Sequence, residues 1–288
     1  MALDRRALLG AGIATVAGLR PAWTSAPPRI VCLEWTAAEL VLALGITPIA
    51  VGDVAGYREW VVEPELPAAT IDLGSRSEPN AEIVRRLRPD LVIATRGYGI
   101  DIATFASLAA TFELVFFSGA APPLTQGALE LLRLGDRLGR ADAARATIVQ
   151  SEGAIDAAAS RMAARRGERI CIVSMFEERH LRIYGAGSLF AAVTDRLGLV
   201  NAWSAPTNAW GFSTISFDQL AKVGAARMVV LTPISRAAER MMKESGLWTS
   251  LPCVKAGPPL MIPAVWPYGG LTAAARFGRL LAERFAFA

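Results

Sequence analysis

Short apolar runs alternate along this chain with stretches of helical spacing. "RIVCL" (29–33) predicts a buried strand, since it is a brief continuous apolar run. "AAELVLALG" (37–45) predicts a helix that ends at Gly45, and "ITPIAVG" returns to strand. "DLVIAT" (90–95) and "LVFFS" (114–118) are two more buried-strand candidates, and "DIATFASLAATF" between them has helical spacing. Such alternation predicts an α/β fold with a mostly parallel sheet.

The signals change between about Pro122 and Arg166. "GRADAARATIVQSEGAIDAAASRMAARRG" is rich in alanine and arginine and lacks proline, with Gly153 as its one internal weakness. A helix over 141–166 would be about 39 Å long at 1.5 Å per residue. That length suits a strut across two lobes better than a crossover within one. The α/β pattern restarts at "RICIVSM" (169–175) and continues through "RMVVLT" (227–232). "NAEIVRRLRPDLVIA" from Asn80 and "SFDQLAKVGAARMVVL" from Ser216 echo each other. Each opens on a capping residue, has an acid two positions on (Glu82 or Asp218), and runs into a strand. Ser216 and Gln219 have capping-box spacing. The expected architecture is therefore two Rossmann-like α/β lobes joined by a single long helix. Residues 1–26 form a leader, 27–139 the first lobe, 140–167 the joining helix and 168–288 the second lobe.

A chain of 288 residues that is 53% hydrophobic can build one large core or two smaller ones. The net charge is +4, half of it from Arg5, Arg6 and Arg20 against Asp4, and no long basic run points to nucleic acid. Arg5-Arg6 precede an uncharged stretch, Ala7 to Leu19, too short to span a bilayer but suited to a signal-peptide core. The paired arginines predict twin-arginine export, and Thr24-Ser25-Ala26 offers a cleavage site. The mature chain is expected to be soluble and outside the cytoplasm. Cys32, Cys171 and Cys253 read as small core residues, and with one histidine in the chain a zinc site is not expected.

Catalytic machinery is hard to assemble. His180 is the one histidine, there is no G-x-S-x-G elbow, and "GAGSLF" falls short of a dinucleotide fingerprint. An enzyme is not expected. Aromatic residues carry more information. Trp60, Tyr98, Trp203, Trp210, Trp266 and Tyr268 all sit among glycine, proline or asparagine, in predicted loops. Loops at strand ends are where open α/β sheets place ligands, and such rings supply rigid contact area with a polar tip. Arg76, in the loop "DLGSRSEPN" before the Asn80 helix, can present a fork of donors to anionic oxygens.

The pieces "ALGITPIAVGD…YREWVVEPELP…IDLGSRSEPN…LRPDLVIA…GYG…GSLF…NAW…TNAWG…PAVWPYG" together resemble the periplasmic ferric-hydroxamate-binding proteins of iron-siderophore ABC importers. These belong to the class III substrate-binding proteins, whose two α/β lobes share one long helix. The resemblance implies that Arg76 and Tyr98 hydrogen-bond the hydroxamate oxygens around iron. It implies that Trp60, Trp210, Trp266 and Tyr268 line the pocket, with Trp35 and Trp203 ranked lower as packing residues. It further implies that Glu82 and Asp218 dock arginines of an inner-membrane ABC permease. Iron would arrive chelated by its siderophore, with no protein metal ligand and no cofactor, and the protein is expected to be a monomer with small closure on binding. The chain departs from the pattern at Ala94, Arg96 and Pro267, which predicts a roomier, more positive pocket. Two alternatives stand beside this reading. One is the same fold carrying a catecholate siderophore, haem or cobalamin; the other is a siderophore hydrolase.

Overall fold

In the computed structural model, residues 27–116, 119, 121–175 and 179–286 are described, so the predicted leader at 1–26 lies outside the described residues. The first sheet is built from β1 (Ile30–Cys32), α1 (Trp35–Ala43), β2 (Ala50–Val51), α2 (Val54–Trp60), β3 (Ile71–Asp72), α3 (Ala81–Leu87), β4 (Leu91–Thr95) and β5 (Ala110–Leu114). Its strand order is β3-β2-β1-β4-β5, with every pairing parallel. Strands β1 and β4 are buried throughout. A parallel sheet covered on both faces demands such continuous apolar runs, which is why these two strands were legible in sequence.

The edge departs from expectation. β5 ends at Leu114, where the strand predicted at 114–118 was to begin, and the helix predicted over 101–112 is a single 3-10 turn at Ile102–Phe105. Asp101 Oδ1 caps that turn by accepting from Ala103 N–H at 3.0 Å. An edge strand needs burial on one side only, so "ATFEL" mixes exposed and half-buried positions and mimics helical spacing. Pairing with β4, Leu91 opposite Ala110 through Thr95 opposite Leu114, decides the matter.

Two helices, α4 (Pro123–Arg137) and α5 (Ala141–Arg161), carry the chain to the second sheet. Between them Gly139 takes a left-handed φ of 67°, and Arg140 N–H folds back to the Gly135 carbonyl at 2.7 Å. At 21 residues α5 is about 32 Å long. It stops at Arg161 rather than running to 166, because buried Met162 turns into the second core and a 3-10 turn at Ala163–Arg165 follows. Ala144 of α5 lies in the core of the first sheet, while Ile155 and Ala158 lie in that of the second. One helix thus seats its two ends in different cores.

The second sheet comprises β6 (Arg169–Ser174), β7 (His180–Tyr184), α6 (Leu189–Arg196), β8 (Val200–Asn201), β9 (Phe212–Ser216), β10 (Arg227–Leu231), the short helices α7 (Arg236–Glu244), α8 (Gly246–Ser250) and α9 (Pro252–Lys255), β11 (Leu260–Ile262) and the closing helix α10 (Leu271–Ala286). Strand order is β11-β10-β6-β7-β9, with β8 alongside β6. Unlike the first sheet it is mixed, since β7 runs antiparallel to both β6 and β9.

Helix α10 is held to the first lobe by two carboxylates. Glu39 of α1 is fully buried and accepts from Gly270 N–H (3.1 Å), Ala273 N–H (3.0 Å) and the Thr272 hydroxyl. Glu63 meets Arg276 and Arg279, the latter at 3.0 Å. The carboxylate of Glu39 satisfies orphan donors at the start of α10, where the helix dipole also favours negative charge.

Candidate ligand-binding site

Strand ends from both sheets converge on a cavity of about 260 Å³. The first sheet brings Trp35 after β1, Trp60 at the end of α2 and Arg76 from the β3–α3 loop. The second brings Ser174 at the end of β6, Arg182 and Tyr184 from β7, Leu231 at the end of β10, and Val265, Trp266 and Pro267 after β11. This is the position open α/β sheets reserve for ligands.

Local chemistry shapes the Arg76 loop. Asp72 Oδ1 accepts from Gly74 N–H at 2.8 Å, and Asn80 N–H closes the loop onto the Leu73 carbonyl at 2.9 Å. The Asn80 side chain then caps α3 by accepting from Glu82 and Ile83. Gly52 allows the loop its close approach, since a Cβ there would collide with the Leu33 carbonyl and lie 3.1 Å from Arg76 Cα. The Arg76 guanidinium rests 4.3 Å from the Trp35 ring centre, 5.1 Å from Trp266 and 5.9 Å from Tyr98. Three rings therefore hold one cation, a cation–π arrangement that fixes it before any ligand arrives.

Tyr98, Trp210 and Tyr268 are outside the described wall of this cavity. They form an aromatic cluster beside it. Tyr98 meets Trp210 edge-on at 5.1 Å and stacks on Trp266 at 6.4 Å, while Tyr268 lies 4.9 Å from Trp210 and 5.0 Å from Trp266. Gly97, with φ of 100°, gives Trp210 room, as a Cβ would sit 3.1 Å from its ring.

The hub of the cluster is Thr36, which the sequence did not single out. Its hydroxyl donates to the Tyr268 carbonyl at 3.0 Å, accepts from Trp266 Nε1 at 3.1 Å, and lies 3.0 Å from the Tyr98 hydroxyl. With its one proton committed to Tyr268, Thr36 must accept from Tyr98. Beneath it, buried Glu34 caps α1 through Thr36 N–H (2.7 Å) and Ala37 N–H (2.8 Å) and accepts from the Thr95 hydroxyl (2.8 Å). Burial raises the Glu34 carboxyl above its usual range despite these hydrogen bonds. Burial first, and the Glu34 charge second, push the Tyr98 phenol well up. Burial also raises Tyr268. Both phenols stay protonated at neutral pH; Tyr98 donates to Thr36, and the Tyr268 hydroxyl accepts from Arg182 at 3.3 Å.

Of the six expected ligand-binding residues, then, Trp60, Arg76 and Trp266 line the cavity, and Tyr98, Trp210 and Tyr268 buttress it. Trp35, ranked as a packing residue, is in the wall beneath Arg76. Trp203 does pack, buried in the second core with Nε1 donating to Ser213 Oγ at 3.0 Å. Two expectations about the pocket change. Ala94 belongs to the core on the other side of the first sheet and opens no space in the cleft. Arg96 points to Glu113, whose carboxylate accepts from its Nε at 2.8 Å, and adds no charge to the cavity. Arg182, from β7, lines the cavity instead. The alternation in "HLRIY" sends Leu181 and Ile183 to one face and Arg182 and Tyr184 to the other, but only the folded sheet reveals which face looks into the cleft.

Glu82 and Asp218 are exposed, each in the first turn of its element, α3 and the 3-10 helix Phe217–Val223, and neither touches the cavity. The Gln219 side chain accepts from Ser216 N–H at 3.1 Å, as the capping-box spacing predicts. His180 stands exposed at the start of β7. A larger hollow of about 580 Å³ lies between the start of α4 and α6, but glycine, alanine and proline dominate its described wall and Asp195 is the carboxylate there. Among the described residues no three His, Cys, Asp or Glu side chains gather as a metal nest, and no helix is long and apolar enough to cross a membrane.

The sequence matches the description of the periplasmic binding proteins over residues 30–259. The iron(3+)-hydroxamate-binding protein FhuD of Escherichia coli (strain K12) is 34% identical over 255 residues, 88% of this chain and 86% of that protein. Among solved structures, the siderophore-binding protein FhuD from Vibrio cholerae with bound Fe3+-Desferal matches with a TM-score of 0.82 and 26% identity, covering 90% of this chain and 98% of that one. FhuD2 from Staphylococcus aureus with bound ferrioxamine B shares the fold, with a TM-score of 0.71 and 18% identity over 90% and 98% of the two chains.

Proposed function

The chain belongs to the family of periplasmic binding proteins, and from that premise we propose that it captures ferric hydroxamate siderophores in the cleft between its sheets and delivers them to an inner-membrane ABC permease. The observation that carries this reading is the Arg76 guanidinium, fixed over three aromatic rings and presented to a tryptophan-lined cavity between two lobes. A ferric tris-hydroxamate is neutral at its iron core yet keeps good acceptor oxygens. A forked cation can grip that shared rim, and tryptophan walls tolerate variable organic backbones. At about 260 Å³ the cavity is below the roughly 300–1,000 Å³ usual for small-molecule sites. It therefore takes one side of the chelate and leaves the remainder in solvent. Iron comes already enclosed, so the protein supplies shape and hydrogen bonds rather than metal ligands.

For its hydroxyl to reach the hydroxamate rim, Tyr98 must surrender its bond to Thr36. We assign Tyr98 to that exchange, and Trp210 and Tyr268 to the wall that shifts with it. In this reading residues 1–26 direct export, the protein works in the periplasm as a monomer, and closure is small because α5 and the Glu39 and Glu63 ties bind α10 to both lobes.

Titration of tryptophan fluorescence with ferrioxamine B and with its iron-free form tests the assignment. Saturable quenching is expected for the ferric complex and much weaker quenching for the free ligand, since Trp35, Trp60 and Trp266 line the cavity. No saturable response to any ferric hydroxamate would sink the reading.

We assign permease docking to Glu82 and Asp218, one exposed acid on each lobe. The double variant Glu82→Arg, Asp218→Arg is expected to bind ferric siderophore as the parent does and to lose uptake in cells. Normal uptake by that variant would remove both residues from the docking surface.

A further inference from the structure

The Tyr98 ring is edge-on to Trp210 and stacked on Trp266, and its hydroxyl is held by Thr36 Oγ1 at 3.0 Å. Thr36 is a firm anchor. It is fully buried, and its N–H donates to Glu34 at 2.7 Å. Its hydroxyl also donates to the Tyr268 carbonyl at 3.0 Å and accepts from Trp266 Nε1 at 3.1 Å. These three hydroxyl bonds differ in what their loss would do. Losing the bond to Tyr268 or to Trp266 would shift a residue of the aromatic wall. Losing the bond to Tyr98 leaves Thr36 with an oxygen that still donates once and accepts once. The bond to Tyr98 is therefore the one a ligand can exchange at least cost.

A threonine hydroxyl is a neutral acceptor. A hydroxamate oxygen shares formal negative charge with iron and accepts a stronger hydrogen bond. The phenol can therefore pass from Thr36 to such an oxygen with a net gain, but the gain is only the difference between two bonds. We propose that Thr36 is a positioning residue that competes with the ligand for the Tyr98 hydroxyl and thereby lowers the affinity of the site for ferric hydroxamates. It is outside the described wall of the cavity and acts through Tyr98. This inference rests on the proposed capture of ferric hydroxamates and adds a device that sets how tightly they are held. A binding protein that hands its ligand on gains from such a device, since the phenol has a partner waiting when the chelate leaves.

A double-mutant cycle isolates the competition. Ferrioxamine B is titrated against the parent, Tyr98→Phe, Thr36→Val and the double variant, with tryptophan fluorescence as the readout. Any disturbance of Trp266 by Thr36→Val acts with and without the phenol and cancels in the cycle. Tyr98→Phe is expected to cost about three- to tenfold more affinity in the Thr36→Val background than in the parent, the scale of one neutral hydrogen bond. Thr36→Ser keeps the hydroxyl and should restore the parent's response to Tyr98→Phe. An equal or smaller cost in the Thr36→Val background overturns the inference. Tyr98→Phe in the parent is a second test that needs no change at Thr36. Its expected loss is below about tenfold, and a larger loss overturns the inference, because the ligand would then gain a whole charged hydrogen bond. Failure of the parent to bind any ferric hydroxamate is a different result, since it removes the proposed function and this inference with it.

Discussion

Alanine in place of Glu39 is expected to destabilise the protein by about 3 kcal/mol, the sum of a lost helix cap and buried donors left unpaired. Three donors at the start of α10 converge on one oxygen of this carboxylate, from Gly270, Thr272 and Ala273. Water cannot readily replace it, because the side chain is fully buried between α1 and α10. The loss should appear as a lower urea midpoint with an unchanged slope. A shift equivalent to less than about 1 kcal/mol would show that α10 docks without the carboxylate.

The same residue gives stability a distinctive pH dependence. Burial, reinforced by the charge of Glu34, pushes the Glu39 carboxyl up from 4.5 to about 7 against its three hydrogen bonds. Between those values the folded protein holds a proton that the unfolded chain has released. The stabilising contribution of protonation is thus fully present below about pH 4.5 and is lost as pH rises through about 7. It amounts to roughly 3 kcal/mol at most. Glu39→Gln cannot titrate, so the difference in unfolding free energy between parent and this variant should fall from pH 5 to pH 8. Parallel pH profiles for the two proteins would contradict the assignment.

Arg76→Ala is expected to weaken ferric-hydroxamate binding by ten- to a hundredfold, about 1–3 kcal/mol, the range for hydrogen bonds to a charged group. The effect is large because the guanidinium is preorganised. Trp35, Trp266 and Tyr98 surround it in the cleft, so little ordering remains for the ligand to impose. Arg76→Lys keeps the charge but loses the planar fork and is expected to recover only part of the affinity. Arg76→Ala should lower the unfolding free energy by no more than about 1–2 kcal/mol, the scale of the lost cation–π contacts, so the protein stays folded at the temperature of the titration. Unchanged affinity in Arg76→Ala would remove this residue from the ligand contacts.

Whatever depended on neighbours in the chain was legible before folding. The buried strands at 30–32, 91–95, 169–174 and 227–231 were visible because strands covered on both faces must be apolar at every position. The Asn80 cap and the Ser216–Gln219 box were visible because capping is a matter of three residues. Arg76 stood out because its loop is closed by its own neighbours, Asp72, Leu73 and Asn80. The order of the motifs along the chain carried the family and with it the fold.

Other features were set by partners far away in sequence. The edge strand β5 took its bounds from β4, and the end of α5 from the core that receives Met162. Thr36 became a hub only when Trp266 and Tyr268 arrived from more than two hundred positions away. Glu39 is the one acid of α1, and its role came only from the three donors that α10 brings. Arg96 follows one strand and Arg182 lies in another, yet the first turns to Glu113 and the second into the cleft. A linear pattern records what each short segment prefers by itself. Which charges face one another across a gap between lobes is decided by how two sheets are set on a shared helix, and no local preference encodes that.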